Sequence, residues 1–223
     1  MTSTAETVIS LAGRPFVADA SGALWCAAAR LLVVSDLHLE KGSSLAARRT
    51  LIPPYDTAQT LATLAAVIAR YRPRAVISLG DSFHDRAGPT RMAAPDLAAL
   101  RSLQAGRDWI WIAGNHDPVL DGALPGQCCA EIVEGAVRFA HEPTAAPAGP
   151  EIAGHLHPCV TVVARGGSLR RKAFVSCETR IVMPAFGAFT GGLDIRAPAI
   201  RSLFPGRMTV FALGQQRAYR VAA

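Results

Sequence analysis

Five of the six histidines in this 223-residue chain stand in short clusters whose residue types suit a pair of metal ions. The clusters are Asp36-Leu37-His38, Gly80-Asp81, Gly114-Asn115-His116-Asp117, His141 and Gly154-His155-Leu156-His157. Hard oxygen donors mixed with imidazoles suit borderline divalent ions such as Mn, Fe, Co or Zn. No cysteine lies in the clusters, which argues against a structural zinc. One carboxylate can bridge two ions. With Asp81 in that role, Asp36, His38 and His157 can complete one site, and Asn115, His141 and His155 the other. Two ions about 3.5–4 Å apart would bind a phosphoryl oxygen, acidify a water and stabilise charge in an in-line displacement. The inferred reaction is phosphoester hydrolysis.

Loops this far apart in sequence meet only if regular elements carry them to one edge. Leu31 to Ser35 is a continuous apolar strand ending at Asp36, Ala75 to Leu79 a second ending at Gly80-Asp81, and Trp109 to Ala113 a third ending at Gly114-Asn115. Ligands at the carboxyl ends of strands project into the crevice where open α/β sheets bind substrates. Between the strands, Leu61, Leu64, Ala65 and Ile68 predict a helix over 56–71, behind Pro53-Pro54 and with Asp56 as its cap. Leu97, Leu100 and Leu103 predict a second over 94–104. Trp109 and Trp111, two apart on one strand, are expected in the core.

Either side of this β-α-β-α-β series the pattern is strand-like. Alternation from Thr7 to Trp25, broken at Gly13 and Ser21-Gly22, predicts an opening hairpin or strand pair. After Ile132 come closely spaced strands at 132–140, 159–164, 173–176, 181–183 and 208–213, with a flexible surface loop at 143–150. Alternating units followed by strands predict an α/β sandwich, two sheets face to face with helices outside. At 223 residues and 50% hydrophobic, the chain is expected to form one domain over 1–223.

No apolar run approaches the ~20 residues needed to cross a bilayer, and the first residues lack a basic stretch before an apolar core. The cytoplasm is the expected compartment. The five cysteines are odd in number without C-x-x-C spacing, so neither a disulfide framework nor a zinc ribbon is expected. Residues 1–157 carry 13 basic against 15 acidic side chains, whereas residues 158–223 carry 10 against 2, a net of +8. That excess is either a plain soluble surface or a patch for phosphate-rich ligands, with Arg165, Arg170, Arg171, Lys172 and Arg180 as its nearest cluster.

In their order along the chain, Asp36-x-His38, Gly80-Asp81, Gly114-Asn115-His116-Asp117, His141 and Gly154-His155-x-His157 resemble the calcineurin-like metallophosphoesterase superfamily. The resemblance implies a four-layer αββα sandwich of two mixed β-sheets flanked by helices, and the two coordination sets given above. It further implies His116 near the scissile group, with Asp117 orienting it, so that His116 protonates the leaving oxygen or stabilises the transition state.

A narrower likeness lies in Asp36-Leu37-His38-Leu39-Glu40-Lys41-Gly42, in Leu79 to Asp85, and in Pro184 to Gly192. These segments are similar to the bacterial ligase-associated DNA damage response endonuclease PdeM group. Membership there implies a manganese-dependent DNA nuclease working alongside an ATP-dependent DNA ligase and a helicase. Small nucleotides or lipid-sugar phosphates are the alternative substrates, and a non-catalytic protein-binding scaffold the alternative of another class. Whether His84 and Lys41 contact substrate, and whether Phe186 to Gly192 walls the cleft, stays open in the sequence.

Overall fold

A computed structural model of the chain describes residues 6–118, 124–164 and 166–222. Two mixed sheets lie face to face. The first runs, in spatial order, β1 (Val8–Leu11), β2 (Arg14–Ala18), β3 (Leu24–Cys26), β4 (Leu31–Val34), β5 (Ala75–Leu79), β6 (Asp108–Ile112) and β7 (Gln127–Cys129). Its first four strands form an antiparallel meander, and β4 to β7 are parallel. The opening segment is therefore three strands, one more than the expected hairpin or strand pair.

Crossovers between the parallel strands carry α1 (Lys41–Ala47), α2 (Asp56–Tyr71), α3 (Gly88–Arg91) and α4 (Ala94–Gln104). Helix α2 has the predicted bounds, but its cap differs. Tyr55 is the N-cap, and Asp56 turns its Oδ2 to the Gly42 N–H at 2.9 Å, tying α2 to α1. The helix stops at Arg72, which takes a left-handed conformation before Pro73.

The second sheet contains β8 (Glu131–Glu134), β9 (Val137–Ala140), β10 (Glu151–Ala153), β12 (Gly167–Ser176), β13 (Arg180–Val182), β14 (Thr209–Leu213) and β15 (Ala218–Val221). The outer half of β12 pairs with β11 (Cys159–Ala164) as a ribbon. Within this sheet β9, β10 and β13 are parallel. The apolar run 132–140 is two strands, because Gly135 at φ +63 turns the chain back. The short strands β7, β10 and β15 lack a readable pattern and were not predicted.

Both faces of the central strands are buried, which explains their continuous apolar runs. Leu31 and Val33 face the second sheet, joining Phe16, Leu79, Phe139, Ile152, Phe174 and Ile181 in the central layer. Leu32 and Val34 face outward against Leu61, Leu64 and Ile68 of α2 and Leu100 of α4, where Trp109 and Trp111 are also packed. The second sheet's outer face buries Val175, Val182 and Val210 under Ile200 and Phe204. Among the described residues that outer layer has one short helix, α5 (Pro198–Arg201), so the fourth layer of the sandwich is thin. Each fully buried leucine or phenylalanine here contributes about 1.5–3 kcal/mol relative to exposure.

At the edge opposite the strand ends that carry the ligand clusters, Arg180 is buried and clipped to Glu151 at 2.6 Å. Its guanidinium also reaches the carbonyls of Leu203 and Thr144. Arg180 therefore does not belong to a basic surface cluster, and the 143–150 loop is anchored at Thr144. Arg165 lies outside the described residues. No helix among the described residues is long and apolar enough to cross a membrane.

Candidate metal centre

The parallel strands of both sheets end at the same side. Asp36 follows β4, Asp81 follows β5 and Asn115 follows β6, while His141 follows β9 and Gly154-His155 follows β10. The sheets are joined there by direct bonds. The His155 N–H donates to Asp36 Oδ2 at 3.1 Å, and His141 Nδ1 donates to the Leu79 carbonyl at 2.9 Å.

All seven residues assigned as ligands meet in this cleft, in two groups. In the first, Asp36 Oδ1 lies 3.1 Å from His157 Nε2, which lies 3.3 Å from His38 Nε2. In the second, His141 Nε2 is 2.8 Å from Asn115 Oδ1, and His155 Nδ1 is 3.0 Å from that oxygen and 3.1 Å from His141 Nε2. Asp81 stands between them. Its Oδ2 is 3.8 Å from His38 Nε2 and its Oδ1 3.5 Å from His141 Nε2.

This arrangement costs the fold something. Asp36, His38, Asp81, His155 and His157 all adopt left-handed φ, between 43° and 67°. Non-glycine residues held there carry strain of order 1–3 kcal/mol each, the kind kept at functional sites. The glycines of the motifs answer to contact. A Cβ on Gly154 would come 2.5 Å from Asp36 Oδ2, and one on Gly80 2.5 Å from the His141 ring.

The donors fit divalent cations. Asp36 is fully buried, its Oδ2 is taken up by Ser35 Oγ and the His155 N–H, yet its Oδ1 has no hydrogen-bond partner among the described residues. An orphaned buried carboxylate oxygen turned toward imidazole nitrogens is an arrangement that a cation completes. Burial pushes the Asp36 carboxyl up, but His157, His141 and Ser35 outweigh it and hold it below its usual range. Burial drives His38 down to about 3 despite the pull of Asp36, leaving the imidazole neutral, as a ligand must be. Asp36, His38 and His157 form one potential metal-holding group, and Asp81, His141 and His155 another.

His116 lies at the mouth, with 38% of its side chain exposed and Nε2 3.9 Å from Asp81 Oδ2. The expected brace from Asp117 is not the contact made. Asp117 turns its Oδ2 to the Phe83 N–H at 2.9 Å, while His116 Nδ1 meets the His84 carbonyl at 2.8 Å. Asp117 thus ties the loop after β6 to the loop after β5. Burial, helped by the Asp81 charge, raises its carboxyl to about 7.

The segment from Phe186 to Gly192 does wall the cleft. Its Phe186 and Gly187 N–H groups donate to the carbonyls of Ser35 and Asp36, at 2.8 and 3.1 Å. The chain's only two lysines hold it by its carbonyls: Lys172 Nζ reaches that of Gly187 at 2.6 Å and Lys41 Nζ that of Phe189 at 2.8 Å. Arg170 holds the Gly192 carbonyl at 2.5 Å. Arg170 and Lys172 are accordingly parts of the cleft rim, and Arg171 is exposed. Sequence reasoning missed Ser35 as the partner of Asp36, although its place just before the Asp-x-His pair was a signal.

Sheets, ligand loops and sequence together define the class. Residues 29–167 match the family described as Calcineurin-like phosphoesterase, and the chain belongs to that family. Over 97% of its length it is similar to the crystal structure of the nuclease MPE of Pseudomonas putida, covering 100% of that chain at 29% identity with a TM-score of 0.75. A further similarity is to Yfce, a phosphoesterase from E. coli, at 16% identity and a TM-score of 0.44, over 86% of this chain and 98% of that one. No curated protein matches the chain.

Proposed function

We propose that the protein is a two-metal phosphodiesterase acting on nucleic acid, a DNA endonuclease of repair using manganese. The observation that carries the chemistry is the position of Asp81, with one carboxylate oxygen toward each ligand group and His116 beside it. Asp36, His38 and His157 would hold one ion, Asn115, His141 and His155 the other, and Asp81 both. Divalent ions bound there supply Lewis acidity to a phosphoryl oxygen and lower the pKa of an attacking water.

The protein's own part is orientation and proton transfer. His116 Nδ1 is committed to the His84 carbonyl, so any proton it exchanges is carried on Nε2, the atom nearest Asp81. A proton delivered from Nε2 to the leaving oxygen as the P–O bond breaks neutralises the departing alkoxide. Asp36 is sealed from solvent beneath the 186–192 segment, which keeps its charge directed at the cleft.

The polymer substrate is supported by the excess of basic residues in 158–223 apart from the buried Arg180, by Arg170 at the cleft rim, and by the likeness to a nuclease over 97% of the chain. Joint action with a DNA ligase and a helicase is part of the same proposal, on the resemblance to the PdeM group. The test is cleavage of supercoiled, linear and single-stranded DNA against a chromogenic diester and a nucleotide panel, with each divalent ion. Turnover of nucleotides with intact DNA would make this a small-molecule phosphodiesterase.

A further inference from the structure

His84 lies outside both ligand groups, yet it touches one member of the centre with its ring and another with its main chain. Its Nδ1 is 3.4 Å from His38 Nδ1, its carbonyl oxygen 2.8 Å from His116 Nδ1, and its ring stacks on His116 with centroids 5.1 Å apart. The residue is itself rigidly seated. Its N–H donates to the Leu39 carbonyl at 2.9 Å, and Leu39 forms a parallel bridge with Phe83 that zips the loop after β4 to the loop after β5.

A neutral imidazole has one N–H and one lone pair, and the bond made at one nitrogen decides which is left at the other. For His38 to turn a lone pair from Nε2 toward Asp81 and His157, its hydrogen must sit on Nδ1 and needs an acceptor. His84 Nδ1, 3.4 Å away, serves as that acceptor when its own hydrogen sits on Nε2. At His116 the acceptor is the His84 carbonyl, which can only accept, so the Nδ1 hydrogen is fixed and Nε2 becomes the exchangeable position. In the second ligand group His141 solves the same problem with main chain, its Nδ1 donating to the Leu79 carbonyl. His38 is thus a ligand whose orientation depends on a replaceable side chain.

We propose that His84 is a positioning residue that sets, through its ring, the tautomer of His38 and, through its carbonyl, that of His116. The proposal rests on the reading of the cleft as a metal centre. It differs from a third ion held by His38, His84 and His116, whose ring nitrogens also cluster.

The experiment is calorimetric titration of the full chain with Mn²⁺, for the wild type and for His84→Ala, His84→Phe and His84→Asn, with melting curves to establish folding. Outer partners of metal-bound histidines are worth about 10–100-fold in affinity. The Ala and Phe variants are expected to weaken one of two binding events by that factor and spare the other. Asn, whose Oδ1 falls near the place of the ring Nδ1, is expected to restore it. The pH dependence of kcat should stay put in His84→Phe, which keeps both the carbonyl that holds His116 and an aromatic ring beside it. Wild-type affinity in the Ala variant, or rescue by Phe rather than Asn, overturns the proposal. Three ions in the wild type and two in every variant would make His84 a ligand instead. Wild-type protein that binds no Mn²⁺ sinks the metal-centre reading itself, whatever the variants do.

Discussion

Gly187 rests directly on the carbonyl of Leu37, so that a Cβ at 187 would collide with the oxygen and lie 2.8 Å from the carbonyl carbon. Leu37 separates Asp36 from His38, so the wall of the cleft and the first ligand pair are held by one contact. Gly187→Ala should therefore destabilise the fold by about 1–3 kcal/mol, the usual cost of overpacking. It should also weaken binding of the ion proposed for Asp36 and His38. Unchanged melting and unchanged Mn²⁺ affinity would show that this contact matters to neither.

His155 and His157 are two residues apart but serve different groups. His157→Ala and His155→Ala should each reduce bound metal from two ions to one, whereas Asp81→Ala should weaken both. Elemental analysis of the dialysed proteins reads this directly. Loss of the same ion in both histidine variants would contradict the assignment.

His116→Ala should retain its metal and lose about 10²–10⁴-fold in kcat, the range expected of a general acid. Single-turnover cleavage of a diester with a poor leaving group is the sensitive assay. A diester whose leaving group needs no proton should be affected much less. Equal losses on both would assign His116 to charge stabilisation.

The Asp117 carboxyl is raised to about 7 by burial and by Asp81, from an ordinary value of 3.8. A folded carboxyl that binds its proton more tightly than the unfolded chain does stabilises the fold at low pH. That contribution is lost as pH rises from about 4 through 7. In metal-free protein, Asp117→Asn should gain melting temperature relative to wild type across that window. A constant difference between the two from pH 4 to 8 would refute the shift.

Glu151 is fully buried, bonded to Arg180 at 2.6 Å and Arg138 at 2.9 Å, at the far edge from the metal cleft. Glu151→Ala leaves the Arg180 guanidinium buried without its partner and should cost about 3–5 kcal/mol. Chemical denaturation measures the loss. Mn²⁺ affinity of the folded fraction should not change, and a parallel loss would mean that the two edges are coupled.

Much of the first sheet was legible because its strands are buried on both faces and its helices have apolar stripes of helical spacing. Helices α2 and α4 follow the Leu61-Leu64-Ile68 and Leu97-Leu100 patterns to the residue. Strands β7 and β10, three residues each, were not, because so short a segment shows no period and is held in place by its neighbours. Arg180 misled for a related reason: charge counted along a chain does not reveal burial, and only Glu151 on another strand makes that burial tolerable.

By itself, the sequence determined the donor types, their order, and the apolar runs that deliver each to a strand end, because those are local properties of residue type and spacing. The tertiary structure alone decided who touches whom. It gave the support of His116 to the His84 carbonyl instead of Asp117, and drew both lysines onto the carbonyls of the 186–192 segment. Those contacts join loops whose meeting depends on sheet register and on the packing of two sheets, quantities that no stretch of neighbouring residues encodes.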